Sequence, residues 1–202
     1  MKKLAIHYAL LLLLAVGFSA CKKDYGNQLG PLQDSVAAIP VTVTNQVYFE
    51  RFPVVTTTVT GTGATSSGTF SIVFSIPADK GKIKEITKVA TGNSGVEYLQ
   101  SNLYPNYLAT PVTGNGTNTI TFTSDLAAVR SYASRLTATF PTLLASATKT
   151  PAFAFTGTST GGAGTLTPNV SPQTPNQLRF FFLITLEDGT QLITTEVDVR
   201  LL

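Results

Sequence analysis

Few side chains in this 202-residue sequence are suited to covalent or acid–base chemistry. Cysteine and histidine occur once each, as Cys21 and His7. Carboxylates are the next candidates. Glu196 and Asp198 stand two apart, so on a strand they share a face, and such a pair can serve glycosidase chemistry or hold calcium. With Arg200 next in line, they read instead as solvated charges on the side away from the apolar residues. Glu187 and Asp188, at a turn, read the same way. Tyr98, Tyr104 and Tyr107 lie in "YLQSNLYPNYL", where Pro105 stiffens an expected loop. Exposed tyrosines can stack on sugar rings, which makes these three the candidate ligand contacts; the competing expectation is that they pack over one end of the domain. Lys80, Lys82, Lys84 and Lys88 could meet an acidic glycan, but lysines so placed more often protect an edge strand from pairing.

The first residues decide how much of this inventory survives. Lys2 and Lys3 form a positive start, "ALLLLLAV" at Ala9 to Val16 is a short apolar run, and small residues follow, the pattern of a secretory signal over residues 1–20. The run from Leu4 to Ala20 falls short of the roughly 20 apolar residues a membrane-spanning helix needs, and it contains His7. Phe18-Ser19-Ala20-Cys21, within "GFSACKKD", resembles a bacterial lipobox, with Phe18 where Leu is usual. The resemblance implies cleavage before Cys21, a diacylglycerol on its sulfur and acylation of the new N-terminus. Several acyl chains hold a protein to a membrane where one alone is marginal.

The start and the Thr- and Gly-rich body are similar to surface and periplasmic lipoproteins of Bacteroidota. Lys22 in place of Asp implies outer-membrane rather than inner-membrane placement. Lys23-Asp24 partly resembles a surface-export signal, with Tyr25 replacing a second acid, so the periplasmic face and the cell surface both stay open. Asp34-Ser35-Val36 resembles the O-glycosylation sequon of such exported proteins, making Ser35 a candidate acceptor.

Removal of the leader would take His7, and lipid would occupy Cys21. Nucleophile–histidine catalysis, His/Cys zinc sites and internal disulfides then have no residues to use. No cofactor and no metal are expected. Losing Lys2 and Lys3 from the 14 Lys+Arg leaves 12 against 11 Asp+Glu, and no basic run interleaves with aromatics, so nucleic acid is not an expected partner.

The body must then be organised by packing alone. Residues 21–40, with Gly26, Gly30, Pro31 and Pro40, read as a lipidated flexible tether, and 41–202 as a single domain. Phe70, Ile72, Phe74 and Ile76 alternate with Ser71 and Ser75, which predicts a strand. Val55, Thr57 and Val59 predict another, joined to it by the polar loop Gly61 to Gly68. Val47 to Phe52, Ile83 to Ala90, Thr119 to Thr123 and Ala152 to Thr156 are further candidates. Leu178 to Leu186 and Thr190 to Leu201 predict a hairpin about Asp188-Gly189. A two-residue turn there sets Phe180, Phe182, Ile184 and Leu186 on one face with Ile193, Val197 and Val199. A three-residue loop would put Phe182 beside Thr194 and Phe180 beside Glu196. One helix is expected around 124–136, capped by Thr123 or Ser124 and burying Leu126, Val129, Ala133 and Leu136. Residues 157–177 read as a mobile loop.

These elements predict a mainly β protein, an antiparallel β-sandwich of Ig-like Greek-key type, with a jelly roll as the alternative. The function expected is that of a non-enzymatic binding or accessory lipoprotein with a glycan or protein partner, resembling small companions of outer-membrane nutrient uptake. The alternatives are a structural or adhesive surface protein and a carboxylate-only hydrolase. The last requires two acids converging in a cleft.

Overall fold

The computed structural model describes residues 39–62, 65–92, 95–100, 105–139, 166–169 and 173–202. The expected leader, Cys21, Ser35, most of the tether, Tyr104 and the strand at Ala152 to Thr156 lie outside them. Ile39–Leu202 clusters as one compact unit. Among the described residues no helix is long and apolar enough to cross a membrane.

The chain is mainly β, with two sheets facing each other. The smaller holds β1 (Thr42–Val43), β4 (Thr69–Ser75) and β7 (Thr119–Asp125), in the order β1-β4-β7. In the larger, β2 (Tyr48–Phe49), β3 (Pro53–Thr57), β5 (Ile83–Thr91), β6 (Val112–Thr113), β8 (Gln177–Leu186) and β10 (Val197–Leu201) run in the order β2-β3-β10-β8-β5-β6. Strand β9 (Gln191–Ile193) also pairs with β8. Among the described residues, strand pairing is antiparallel except between β10 and β3, which are parallel.

Period-two alternation builds the core. In β4, Phe70, Ile72 and Phe74 are buried, and across the register from them lie Ser124, Phe122 and Ile120 of β7. Leu178, Phe180, Phe182 and Ile184 of β8 and Val197, Val199 and Leu201 of β10 belong to the same buried cluster. Aromatic rings join the two sheets: Phe70 meets Phe180 at 5.4 Å between centroids, Phe74 meets Phe182 at 4.7 Å and Phe122 meets Phe182 at 5.1 Å. Tilted and edge-on contacts of this kind suit the ring quadrupoles and add to the hydrophobic gain.

Strands β3 and β4, expected as a joined pair, lie in different sheets. The segment between them is an arch, closed by mutual backbone bonds of 2.8 Å between Thr60 and Ser67. Helix α2 (Leu126–Thr139) fixes that arch, because Arg130 Nη2 donates to the Ser66 carbonyl at 2.6 Å. Its cap is neither Thr123 nor Ser124: Asp125 Oδ1 accepts from the Ala128 amide at 2.7 Å, the usual bond of an N-cap to N3. Leu126, Val129 and Ala133 are buried as expected, and Tyr132 joins them.

The last hairpin departs from its expected register near the turn and keeps it further away. Leu186 N donates to Thr190 O, Gly189 takes φ +88°, and Leu183 faces Ile193, so the loop has three residues with glycine in the left-handed position. Phe182 and Thr194 are bonded neighbours, and Ile193 is 42% exposed rather than in the core. The chain gains one residue between Thr194 and Val197, after which Val197 faces Phe180 and Val199 faces Leu178. This second irregularity offsets the first and returns β10 to the core face.

A second helix, α1 (Gly95–Gln100), replaces the loop expected around Tyr98 and packs on the outer side of the larger sheet. Beneath it, Phe181, Ala90 and Leu99 form a small separate cluster. Gly95 is obligatory there, since a Cβ would lie 1.9 Å from Phe181 Cδ2. The lysine-rich strand β5 is not an edge: β8 flanks it on one side and the short β6 on the other, and Lys80 and Lys82 precede it. Part of the expected mobile loop packs as well. Leu166 is buried in the main core, and Asn176 Nδ2 donates to the Thr167 carbonyl at 2.7 Å.

Candidate ligand-binding cleft

Because Val197, Val199 and Leu201 point into the sandwich, Asp198 and Arg200 must point out of it. The register puts Asp198 opposite Arg179 of β8 on one side and Val54 of β3 on the other; Arg200 likewise falls between Gln177 and Thr56. This outward row is not open to water. The turn at residues 50–52 stands on one side of it and residues 173–175 on the other, enclosing a cleft of about 360 Å³. Gln177, Arg179, Glu196 and Asp198 form its polar floor.

Arg179 Nε meets Glu196 Oε1 at 3.0 Å. Arg200 is paired with Glu50 Oε1 and lies 4.7 Å from the Tyr48 ring centroid, which ties the β2–β3 hairpin to β10. Asp198 is the most constrained of the acids, with 6% of its surface exposed. Burial raises its pKa from 3.8 to about 7; the nearby Glu196 charge adds to the rise, and Arg179 opposes it. The Glu196 side chain is within hydrogen-bonding reach, yet Asp198 Oδ1 has no partner among the described residues. The expectation of two solvated charges is therefore overturned. Both acids stand in a half-closed cleft because the 50–52 and 173–175 segments, distant in sequence, cover this part of the sheet.

Of the three tyrosines, Tyr98 and Tyr107 are described, and these two do not form an exposed platform. Tyr107 is a core residue, its hydroxyl 2.6 Å from Ser124 Oγ and its ring packed at 5.2 Å on Tyr132 and 5.6 Å on Phe180. Burial pushes its pKa up to about 12, so it stays protonated at any physiological pH. Tyr98 lies half-buried on α1 against both hydrophobic clusters. Packing, the competing expectation, describes these two. Lys80, Lys82 and Lys84 are exposed, whereas Lys88 is half-buried and its Nζ donates to the Leu99 carbonyl at 3.4 Å.

Arg179, Glu50 and Phe52 were not singled out from sequence. A signal for Arg179 does exist: it is a charged residue inside the apolar run "LRFFFLITL", and hairpin pairing sets it against Asp198. Nothing local points to Glu50 or Phe52. Among the described residues no group of three or more His, Cys, Asp or Glu is placed to hold a metal ion. In comparisons with known proteins, the chain matches no family model, no curated protein and no solved structure.

Proposed function

We propose that this chain is an exported lipoprotein, anchored to the outer membrane through Cys21, whose sandwich is a non-enzymatic binding or accessory module. The observation carrying this reading is the cleft over Arg179, Glu196 and Asp198, a built polar site on an otherwise structural sheet. Its two central carboxyls are within hydrogen-bonding reach of each other. Glycosidases hold their carboxyls about 5 Å or more apart to work on opposite sides of a bond, so the pair suits holding a ligand better than cleaving one. The strand order β1-β4-β7 against β3-β10-β8-β5-β6 also favours an Ig-like Greek key, with β8 and β10 in the places of the last two strands. The anchor is tested by feeding cells an alkyne-tagged fatty acid. The wild type should carry the tag in the membrane fraction, and Cys21→Ala should lose both tag and membrane retention. An untagged wild type would sink the anchor.

A structural or adhesive role has one observation in its favour. Edge strand β2 and the residue before it leave Val47, Tyr48 and Phe49 exposed, Phe49 by 69%, and unpaired edges recruit other strands. That role requires concentration-dependent association in sedimentation velocity, weakened by Phe49→Lys; the binding module sediments as a monomer.

A further inference from the structure

We propose that the cleft over Arg179, Glu196 and Asp198 binds an uncharged, polyhydroxylated ligand, one or two sugar rings in size, with the carboxyls accepting from its hydroxyls and Phe52 covering an apolar face. This deepens the binding-module reading and rests on it.

Asp198 marks the place for a ligand. The residue is more than nine-tenths buried, it faces the cleft, and Oδ1 lacks a partner among the described residues. An oxygen buried without a partner is destabilising, and a ligand hydroxyl donating to it as the carboxyl turns into the cleft would remove that cost.

Charge balance selects the ligand class. Glu50, Glu196 and Asp198 are interleaved with Arg51 and Arg179 around the same space, and Arg200 neutralises Glu50 from the side. A fixed cation meets the guanidinium groups, and a fixed anion meets the carboxylates, so neither sign gains a net field. A hydroxyl both donates and accepts, and vicinal hydroxyls can use a carboxylate and a neighbouring guanidinium together. Phe52 is half-buried in the wall with the Arg51 guanidinium 5.3 Å from its ring centroid, which leaves the opposite ring face for the C–H side of a sugar ring. At about 360 Å³ the cleft sits near the lower end of ligand pockets, roughly 300–1,000 Å³, which suits one or two rings rather than a longer chain inside it.

The test uses the full chain in a polyoxyethylene detergent, which carries no sugar headgroup. It is titrated calorimetrically with neutral gluco-, galacto- and manno-disaccharides, a uronate-bearing disaccharide and calcium chloride. At least one neutral disaccharide should bind about tenfold more tightly than the uronate, with less than about a twofold change between 50 and 500 mM NaCl, because no net charge is being screened. Glu196→Gln and Phe52→Ala should each weaken it about tenfold or more with little change in melting temperature. Phe52 lies at a turn, so its variant keeps the test open if the carboxyl variant folds poorly. Preference for the uronate or calcium, neutral binding that both variants leave intact, or binding of none of the probes each overturns the ligand assignment while leaving a binding module with another partner. Release of reducing sugar by the wild type, abolished in Glu196→Gln, would overturn the binding-module reading itself.

Discussion

Asp198 shows how one residue's surroundings set its chemistry. Its folded-state pKa, raised to about 7, lies above the value near 3.8 it has when solvated. Between about pH 4 and pH 7 the unfolded chain has released this proton while the folded chain still holds it. Stability contributed by this group therefore falls as pH rises through that window and levels off above it. Asp198→Asn should leave stability near pH 4 almost unchanged and raise it at pH 8 by about 2–4 kcal/mol, since each pKa unit is worth about 1.4 kcal/mol. Urea denaturation from pH 4 to pH 8.5 measures this, and an unaltered pH profile would count against a buried acid. Burial of the charge is the main cost that the substitution relieves; of the groups facing Asp198, Glu196 and Glu50 add to it and Arg179 opposes it.

Among the elements, α1 depends most on a single atom's absence. The helix has only six residues, too few to persist without tertiary support, and its support is the Phe181 ring against Gly95. Gly95→Ala, neutral or favourable in an isolated helix, should here cost about 1–3 kcal/mol through overpacking. Coupled with Phe181→Ala, which removes the clashing Cγ, Cδ2 and Cε2 atoms, the glycine substitution should cost markedly less than it does alone. A double-mutant cycle by chemical denaturation reads that coupling, and additive effects would mean α1 does not seat on Phe181. The final hairpin makes a related point: its glycine-bearing loop and the extra residue before Val197 are separate local irregularities that only together return β10 to the core.

For the molecule as a whole, the two sheets are held by one shared aromatic cluster. Phe122 sits on the smaller sheet and touches Phe180 and Phe182 on the larger, at 5.9 and 5.1 Å between ring centroids. Phe122→Ala removes contacts on both sides of the interface and should cost about 3–5 kcal/mol, with both sheets still melting in one transition. Calorimetry resolving two separate transitions would show that the cluster does not couple the sheets. Most pairings join strands far apart in sequence, β3 with β10 and β5 with β8 among them, so folding in milliseconds to seconds is expected.

Much of the β architecture was legible because strand alternation is a local quantity: Phe70, Ile72 and Phe74, or Phe180 and Phe182, declare their inward face without reference to any other segment. The helix after Asp125 was legible for the same reason, to within one residue at its cap. Local pattern could not say what covers the outward face. Asp198 read as solvated and became a buried acid because residues 50–52 and 173–175 close over it; Tyr107 carried two readings, ligand contact and packing, and the sheets' aromatic cluster decided for packing. The apolar pattern of the last strand favoured a two-residue turn, whereas the chain uses a three-residue loop and later adds one residue, an arrangement visible only once both strands are paired to β8. By itself, then, the sequence determined where the long strands run and which of their faces are apolar, since both follow from side-chain periodicity. The tertiary structure alone decided the parallel pairing of β3 with β10 and the meeting of Arg179, Glu196 and Asp198 under their cover, because burial and pKa depend on atoms brought together from distant parts of the chain.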